Sequence, residues 1–116
     1  MNTVENIVYT VADLDAAKAI QIALLGTEPH TDNAHYVGFT VDGIEIGLTP
    51  ARPDAPATAV AHIRVADLDT ALKRARDAGA TVVSEPRQVS ADTRVAAVQG
   101  PGGPTYGLIE HTESAT

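Results

Sequence analysis

The sequence predicts an α+β fold of two βαβββ modules in tandem, because one pattern occurs twice along the chain. Residues 11–15 read Val-Ala-Asp-Leu-Asp, and residues 65–69 repeat them letter for letter. Each copy follows a short β-like run and precedes a helical pattern, which stops at Gly26 in one copy and at Gly79 in the other. A repeat in the same order along both halves indicates two copies of one supersecondary unit.

Composition bounds the class of protein. The 116 residues are enough for one compact domain, so we assign residues 1–116 to a single domain. With 44% hydrophobic residues, no membrane-length apolar run and no basic leader, we expect a cytoplasmic protein with no membrane partner. The absence of cysteine excludes disulfides and thiolate ligands. The net charge of −7 argues against a nucleic-acid partner, since phosphate binding needs a basic face.

The acidic residues are concentrated in the first half. Residues 1–49 hold seven acidic side chains and one basic one, Lys18. A cavity lined by this half would favour cationic or neutral ligands over anions. The alternative is that these acids form only a solvated surface.

The first module is assigned to residues 4–49. Asp13 is the predicted N-cap of its helix, and Gly26 supplies the left-handed residue that ends it. Asp42-Gly43 is a strong signal for a two-residue hairpin. In chain order we predict a strand, a helix and three strands over residues 4–11, 14–25, 28–32, 36–41 and 44–49.

The second module is assigned to residues 58–111, after a proline-rich joint at 50–57. Pro86 interrupts its second strand, so that segment is expected to bend or to lie at a sheet edge. From the aspartate that caps its helix to the second glycine of its last-strand pattern, this module is six residues longer than the first. We place the extra residues in the loop between its second and third strands. The predicted elements span residues 58–65, 68–78, 81–85, 94–99 and 105–110, and residues 112–116 are expected to fray.

Three further stretches support a resemblance to a known family. They are Ala-Leu-Leu-Gly-Thr-Glu-Pro at 23–29, Ala-Gly-Ala-Thr-Val-Val at 78–83 and the turn Gly-Pro-Gly-Gly-Pro at 100–104. Together with the two modules, they resemble the vicinal oxygen chelate superfamily, which groups glyoxalases, bleomycin-resistance proteins and extradiol dioxygenases. The resemblance implies a cup-shaped mixed sheet with the helices outside and a cavity within. Since many members pair, it also implies a homodimer.

The same resemblance implies where a metal ion would bind. Metal-using members take ligands from the first and last strand of each module, and the matching positions here are Asn6, Gly47, Val60 and Gly107. A catalytic divalent ion needs about three or four imidazole or carboxylate ligands. We therefore expect no metal site and no cofactor, as in a subgroup that has lost the metal.

Strand alternation predicts which side chains line the cavity, because residues of equal parity share a face. His62 and Glu45 could ligate a shifted ion or form a general acid/base pair. The alternative is that Arg64 pairs with Glu45 and only holds the cavity wall together. The predicted ligand-contacting residues are Asn6, Val8, Thr10, Tyr36, Glu45, Gly47, His62, Arg64, Gly107 and Ile109.

The other aromatic and histidine side chains give weaker predictions about the site. Tyr36 or Phe39 is expected to reach the cavity, and alternation does not settle which. Tyr9 and Tyr106 are assigned to the helix side, as core residues. His30 and His35 are expected to be exposed loop residues.

The leading hypothesis is a metal-independent small-molecule-binding protein that encloses an apolar or cationic ligand, with no catalytic residues. The enzyme alternative is a glyoxalase-like lyase, isomerase or hydrolase that uses His62, Glu45 and Arg64. A third hypothesis is an interaction module whose cup is filled by its own side chains. The fold alone does not separate these activities.

Overall fold

A computed structural model of the protein describes residues 2–53 and 58–112. Within them the order strand, helix, strand, strand, strand occurs twice, which confirms the predicted fold class. The chain divides into two compact units, one built from residues 5–60 and the other from residues 61 onward with the start of the first strand. The elements are β1 (Thr3–Val11), α1 (Leu14–Leu25), β2 (Thr31–Asp32), β3 (Val37–Val41), β4 (Ile44–Pro50), β5 (Thr58–Arg64), α2 (Leu68–Asp77), β6 (Thr81–Ser90), β7 (Thr93–Gln99) and β8 (Thr105–His111).

The strands of the first module are ordered β2-β3-β4-β1. β1 runs parallel to β4, whereas β3 is antiparallel to both of its neighbours. The side facing α1 carries the buried residues Val37, Phe39 and Leu48, against which Tyr9 also packs. Phe39 is therefore core, as is Tyr9 in part, and neither reaches the opposite face.

Helix α1 has the predicted bounds and caps. The Asp13 carboxylate accepts a hydrogen bond from the Ala16 amide at 3.0 Å, which satisfies a free donor of the first turn. Gly26 ends the helix with φ of 71°, a left-handed conformation that glycine adopts without steric cost.

The β3–β4 turn determines the pairing of these two strands. Asp42 and Gly43 have φ of 50° and 81°, as a two-residue type I′ turn requires. The turn places Gly38 directly opposite Gly47, and Thr40 directly opposite Glu45. A hairpin signal in the sequence thus determines which side chains are neighbours on the sheet.

The strands of the second module are ordered β5-β8-β7-β6. Its core packs α2 against β7 and β8, with Leu68, Leu72, Ala96, Val98 and Leu108 buried. The start of α2 is held by Asp67, which accepts from the Thr70 amide, and by Glu110, which accepts from the Leu68 amide at 2.7 Å.

Four local predictions need correction. β6 continues through Pro86 to Ser90, because an edge strand tolerates a residue without an amide proton; its pairing with β7 shifts on either side. Only two residues separate β6 from β7, so the extra length lies in longer strands and the β7–β8 turn. β2 spans only Thr31–Asp32. Tyr106 is 45% exposed and is not core.

The outer faces of the two helices differ in character. Counting from the capping aspartates, Ile20 of α1 matches Arg74 of α2, and the face of α2 is charged around it. Ile20 and Leu24 are 58% and 77% exposed. The outer face of α1, hereafter the α1 outer face, consists of Ala16, Ala19, Ile20, Ala23 and Leu24, all exposed.

Two predicted segments lie wholly or partly outside the described residues. Residues 54–57 of the joint and residues 113–116 of the tail are not described, and Pro50 belongs to β4. In the described part of the chain, neither helix is long and apolar enough to cross a membrane.

Candidate functional site

The face of the first sheet that lies away from α1 gathers the predicted residues of this module. β1 and β4 pair so that Asn6 lies opposite Glu45 and Thr10 opposite Thr49. Alternation therefore places their side chains on one surface. The six members of this surface, hereafter the site face, are Asn6, Val8, Thr10, Glu45, Gly47 and Thr49.

Tyr36 lies across this face, over two glycines. A Cβ on Gly47 would come within 2.6 Å of Tyr36 Cε1, and a Cβ on Gly38 would come within 2.6 Å of Tyr36 Cε2. Both distances are far below van der Waals contact. The phenol ring therefore fills the space that the missing side chains leave, a packing of aromatic on glycine that recurs in β-sheets.

The Glu45 carboxylate is bound on both oxygens. Its Oε2 accepts a short hydrogen bond from the Tyr36 hydroxyl. Its Oε1 accepts from His30 Nε2 at 2.8 Å and from Thr40 Oγ1 at 3.2 Å. Since a carboxylate only accepts, Nε2 of His30 carries a proton here. The other ring nitrogen, Nδ1, lies 2.8 Å from Thr31 Oγ1.

These contacts determine the protonation states. Burial acts to raise the pKa of Glu45, but the hydrogen bonds from Tyr36, His30 and Thr40 outweigh it, and the pKa is lowered. Burial and the hydrogen bond to Glu45 both raise the pKa of the Tyr36 phenol. At neutral pH a charged Glu45 thus faces a protonated Tyr36. Because three donors share its charge, Glu45 is a weak base.

A cavity of about 340 Å³ opens at one end of this module's sheet. Thr10 and Thr49 contribute hydroxyl groups 3.3 Å apart, linked by a hydrogen bond. The lining residues are Thr10, His35, Thr49, Pro50 and Arg52. Thr10 and Thr49 belong to both the cavity and the site face, so the two surfaces are continuous.

Asn6 contributes a buried acceptor to the same face. Its Oδ1 is buried and has no hydrogen-bond partner among the described residues. Buried polar atoms are nearly always hydrogen-bonded, and an exception points to a water molecule or a ligand group. Asn6 is therefore a candidate to accept a ligand's N–H or O–H group.

The second module repeats the arrangement of ring over glycine. His62 lies opposite Gly107 and Arg64 opposite Ile109. A Cβ on Gly107 would come within 2.5 Å of His62 Cδ2. The four predicted residues of this module thus share a face, and an imidazole ring covers Gly107 as the phenol covers Gly47.

Neither glycine position fits a metal ion. The positions at which the resemblance places the last-strand ligands carry no side chain, and the space above them is taken by Tyr36 and His62. Among residues 2–53 and 58–112, no group of three or more His, Asp or Glu side chains is arranged to hold a metal ion. The residues present therefore do not match the donor set that a divalent ion needs.

The predicted set left out two residues that bind Glu45, and four that line the cavity: His35, Thr49, Pro50 and Arg52. His30, expected to be a loop residue without a role, is 45% exposed and still binds Glu45. Thr40 binds the same carboxylate. The hairpin turn does predict that Thr40 lies beside Glu45, whereas His30 is brought there by the hydrogen bond of its amide to the Gly38 carbonyl. The grouping of His62, Glu45 and Arg64 into one site stays a prediction.

Comparison with known proteins supports the family. The model of the Glyoxalase/Bleomycin resistance protein/Dioxygenase superfamily matches residues 3–105. Searched against curated proteins, the chain has no significant match.

Several solved structures share the fold. A methylmalonyl-CoA epimerase from Mycobacterium tuberculosis is 21% identical with a TM-score of 0.70, covering 95% of this chain and 88% of its own. A superfamily member from Vibrio splendidus is 15% identical with a TM-score of 0.69, covering 96% and 99%. A Streptomyces coelicolor methylmalonyl-CoA epimerase in complex with 2-nitronate-propionyl-CoA is 20% identical with a TM-score of 0.63, covering 95% and 97%.

At these identities the structures establish the fold alone. The family model covers most of the chain, and both modules have the expected order of elements. The protein belongs to the glyoxalase/bleomycin-resistance/dioxygenase superfamily.

Proposed function

We propose that the protein binds a small organic molecule without a metal ion, in the cavity at the end of the site face. The observation that carries this proposal is the Tyr36 ring over Gly47, with its hydroxyl group bound to Glu45. The ring covers Gly47, at which the resemblance places a last-strand metal ligand, and the one carboxylate on the face is already bound by protein donors. The groups left to bind a ligand are the hydroxyl and amide groups of this face and the Arg52 guanidinium at the cavity.

The cavity supports ligand binding over a purely structural role. Its volume of about 340 Å³ lies at the small end of the range for ligand pockets. The buried Oδ1 of Asn6, on the adjoining site face, has no hydrogen-bond partner among the described residues. A cup filled by its own side chains would leave no cavity of this size.

The enzyme alternative draws on the names of the structural neighbours. An epimerase needs a base that removes a proton. Glu45 is the carboxylate of the site face, but it accepts from His30, Tyr36 and Thr40, and its pKa is lowered. A general base works best with a pKa near the operating pH, so Glu45 suits this role poorly. A lyase, isomerase or hydrolase built on His62, Glu45 and Arg64 remains the rival to be tested.

The test begins with metal analysis of untagged protein and thermal shift against a panel of divalent ions. We expect no stoichiometric metal and no stabilisation. A ligand screen by NMR on chelator-treated protein should then shift the amide signals of Thr10 and Thr49. One equivalent of metal per chain, or turnover abolished by a chelator and by His62→Ala, would replace the binding proposal with the enzyme.

We also propose that the chain forms a homodimer through the α1 outer face. Its five residues carry no charge, whereas the matching positions of α2 include Lys73, Arg74 and Asp77. The repeat therefore shows that folding a module does not require apolar residues there. If the α1 helices of two copies pack antiparallel and cross at Ile20, Ala16 of each copy lies opposite Leu24 of the other. Each large side chain then packs against a small one. The face is thus self-complementary and uncharged. A two-fold contact requires the first property, and the second limits repulsion between two copies that each carry a net charge of −7.

A further inference from the structure

The polar lining of the first module's cavity offers hydrogen-bond donors. Thr10 and Thr49 share one hydrogen bond, so one hydroxyl proton remains to be donated elsewhere. His35 and Arg52 add ring and guanidinium N–H groups. None of the lining residues in the described part of the chain is an aspartate or a glutamate. The wall therefore offers donors to a ligand and brings no negative charge against it.

Arg52 gives this cavity a positive charge in the acidic part of the chain. A guanidinium stays protonated at any physiological pH and carries five donors in a planar fork that matches a carboxylate. Arg52 also interacts within the chain, and five donors suffice for an internal contact and a ligand together. The expectation of a cationic ligand, drawn from the acidic residues of this half, does not allow for this local charge.

The acidic residue of the site face is itself bound by protein donors. Glu45 lies on β4 four residues before Thr49, and its oxygens accept from Tyr36, His30 and Thr40. Its negative charge is therefore spread over three protein donors. The charge of Asp32 is likewise paired, with Lys18.

We propose that this cavity binds the carboxylate end of a small organic acid, with Arg52 as the ion-pairing residue and the Thr10–Thr49 pair as the donor of one hydroxyl proton. Pro50 supplies the apolar surface against which a short carbon chain would lie. A cavity of about 340 Å³ is large enough to hold a small organic acid. This inference rests on the proposed function and names the ligand class for the same site.

The test is a set of three matched ligand series. Straight-chain monocarboxylates from acetate to hexanoate are titrated by NMR, beside the primary amides and the alkylammonium ions of equal length. We expect the carboxylates to bind with shifts at Thr10 and Thr49, and the amides and ammonium ions to bind at least ~10-fold more weakly, as a lost charge-assisted hydrogen bond implies. Arg52→Gln should weaken carboxylate binding by about the same factor.

Controls separate the role of Arg52 from general effects of charge. Arg76→Gln removes an exposed arginine from α2 and should leave binding unchanged. Arg52→Lys keeps the charge but loses the fork, so its affinity should lie between those of wild type and Arg52→Gln. The thermal midpoint of each variant shows that it is folded.

The outcomes distinguish this inference from the proposed function. If amides or ammonium ions bind at Thr10 and Thr49 as well as carboxylates do, or if Arg52→Gln binds carboxylates with wild-type affinity, the acid assignment is wrong and the binding function stands. If no member of any series perturbs this cavity, the acid assignment is wrong, and the binding function is then decided by the wider NMR screen.

Discussion

The phenol ring of Tyr36 lies so close over Gly47 that a methyl group on this glycine would come within 2.6 Å of Cε1. The hydroxyl group of the same ring donates to Glu45, which stands two residues before Gly47 on β4. Ring, glycine and carboxylate therefore form one unit, in which the absence of a side chain at position 47 permits a hydrogen bond at position 45.

Gly47→Ala should destabilise the protein by about 1–3 kcal/mol, because the ring must leave its place or the strand must shift. Urea denaturation measures the loss. Gly100→Ala is the control, since a Cβ there meets no atom within 4 Å, and it should be near neutral. In a Tyr36→Ala background the cost of Gly47→Ala should largely vanish; an unchanged cost would mean that the ring is not what the methyl group meets.

Tyr36→Phe keeps the ring over the glycines and removes only the donor to Glu45. We expect a loss of about 1–2 kcal/mol, since a hydrogen bond to a charged acceptor contributes more than a neutral one. NMR titration of the Glu45 carboxyl should show a raised pKa in the variant, because one of the hydrogen bonds that lowers it is gone. Tyr106→Phe alters an exposed ring and serves as the control; equal effects of the two substitutions would contradict the role of the hydroxyl.

Glu110 should make the stability of the second module depend on pH. Hydrogen bonds from Arg94 and from the Leu68 amide lower its pKa below the usual 4.5. A carboxylate with a lowered folded pKa contributes stability that is present above the unfolded value and is lost as pH falls through the folded one. The free energy of unfolding should therefore fall as pH drops below about 4.5 and through the lowered pKa of Glu110, and less steeply in Glu110→Gln.

The exposed Glu85 provides the matched control for this pH series. Glu85→Gln should reproduce the wild-type slope. A Glu110→Gln protein with the wild-type slope would show that other carboxyl groups set the acid sensitivity.

Ile20→Arg, which copies the matching residue of α2, should dissociate the homodimer. Sedimentation velocity over a range of protein concentrations measures the effect. Arg76→Ala on α2 is the control and should leave the assembly unchanged. Because each chain carries a charge of −7, higher salt should strengthen the wild-type dimer by screening repulsion. A wild-type protein that is monomeric at every protein and salt concentration would refute the homodimer proposal.

The core substitution Leu72→Ala tests the helix packing of the second module. Leu72 is 2% exposed and contacts the buried residues of β7 and β8. We expect a loss of about 2–5 kcal/mol from the lost apolar contact and the cavity left behind. Ile20→Ala on the exposed face of α1 should change the unfolding free energy of the monomer by far less.

Features of the fold that depend on a few adjacent residues could be predicted from the sequence. Asp13 and Asp67 cap their helices because a short carboxylate reaches amides of the following turn. Asp42-Gly43 selects a two-residue turn, and this turn alone places Thr40 opposite Glu45. The predicted sharing of a face by Asn6, Thr10 and Glu45 follows from strand alternation in the same way.

Where several partners compete for one side chain, the sequence could not predict which of them binds it. Glu45 could have bound a metal, a ligand or a cationic side chain, and the structure gives it His30, Tyr36 and Thr40. His30 reaches it because a strand of only two residues, β2, pairs with β3 and brings the His30 amide to the Gly38 carbonyl. No local propensity predicts so short a strand.

The sequence by itself determined the two modules, their helices and the hairpin, since each depends on residue type at a fixed local spacing. Only the tertiary structure decided what occupies the space over Gly47 and Gly107. A glycine leaves space without specifying its occupant, and Tyr36 fills that space because its ring packs on Gly38 and Gly47 while its hydroxyl group reaches a charged acceptor. The position of Arg52 at the cavity is also tertiary, because it follows from where β4 ends beside β1.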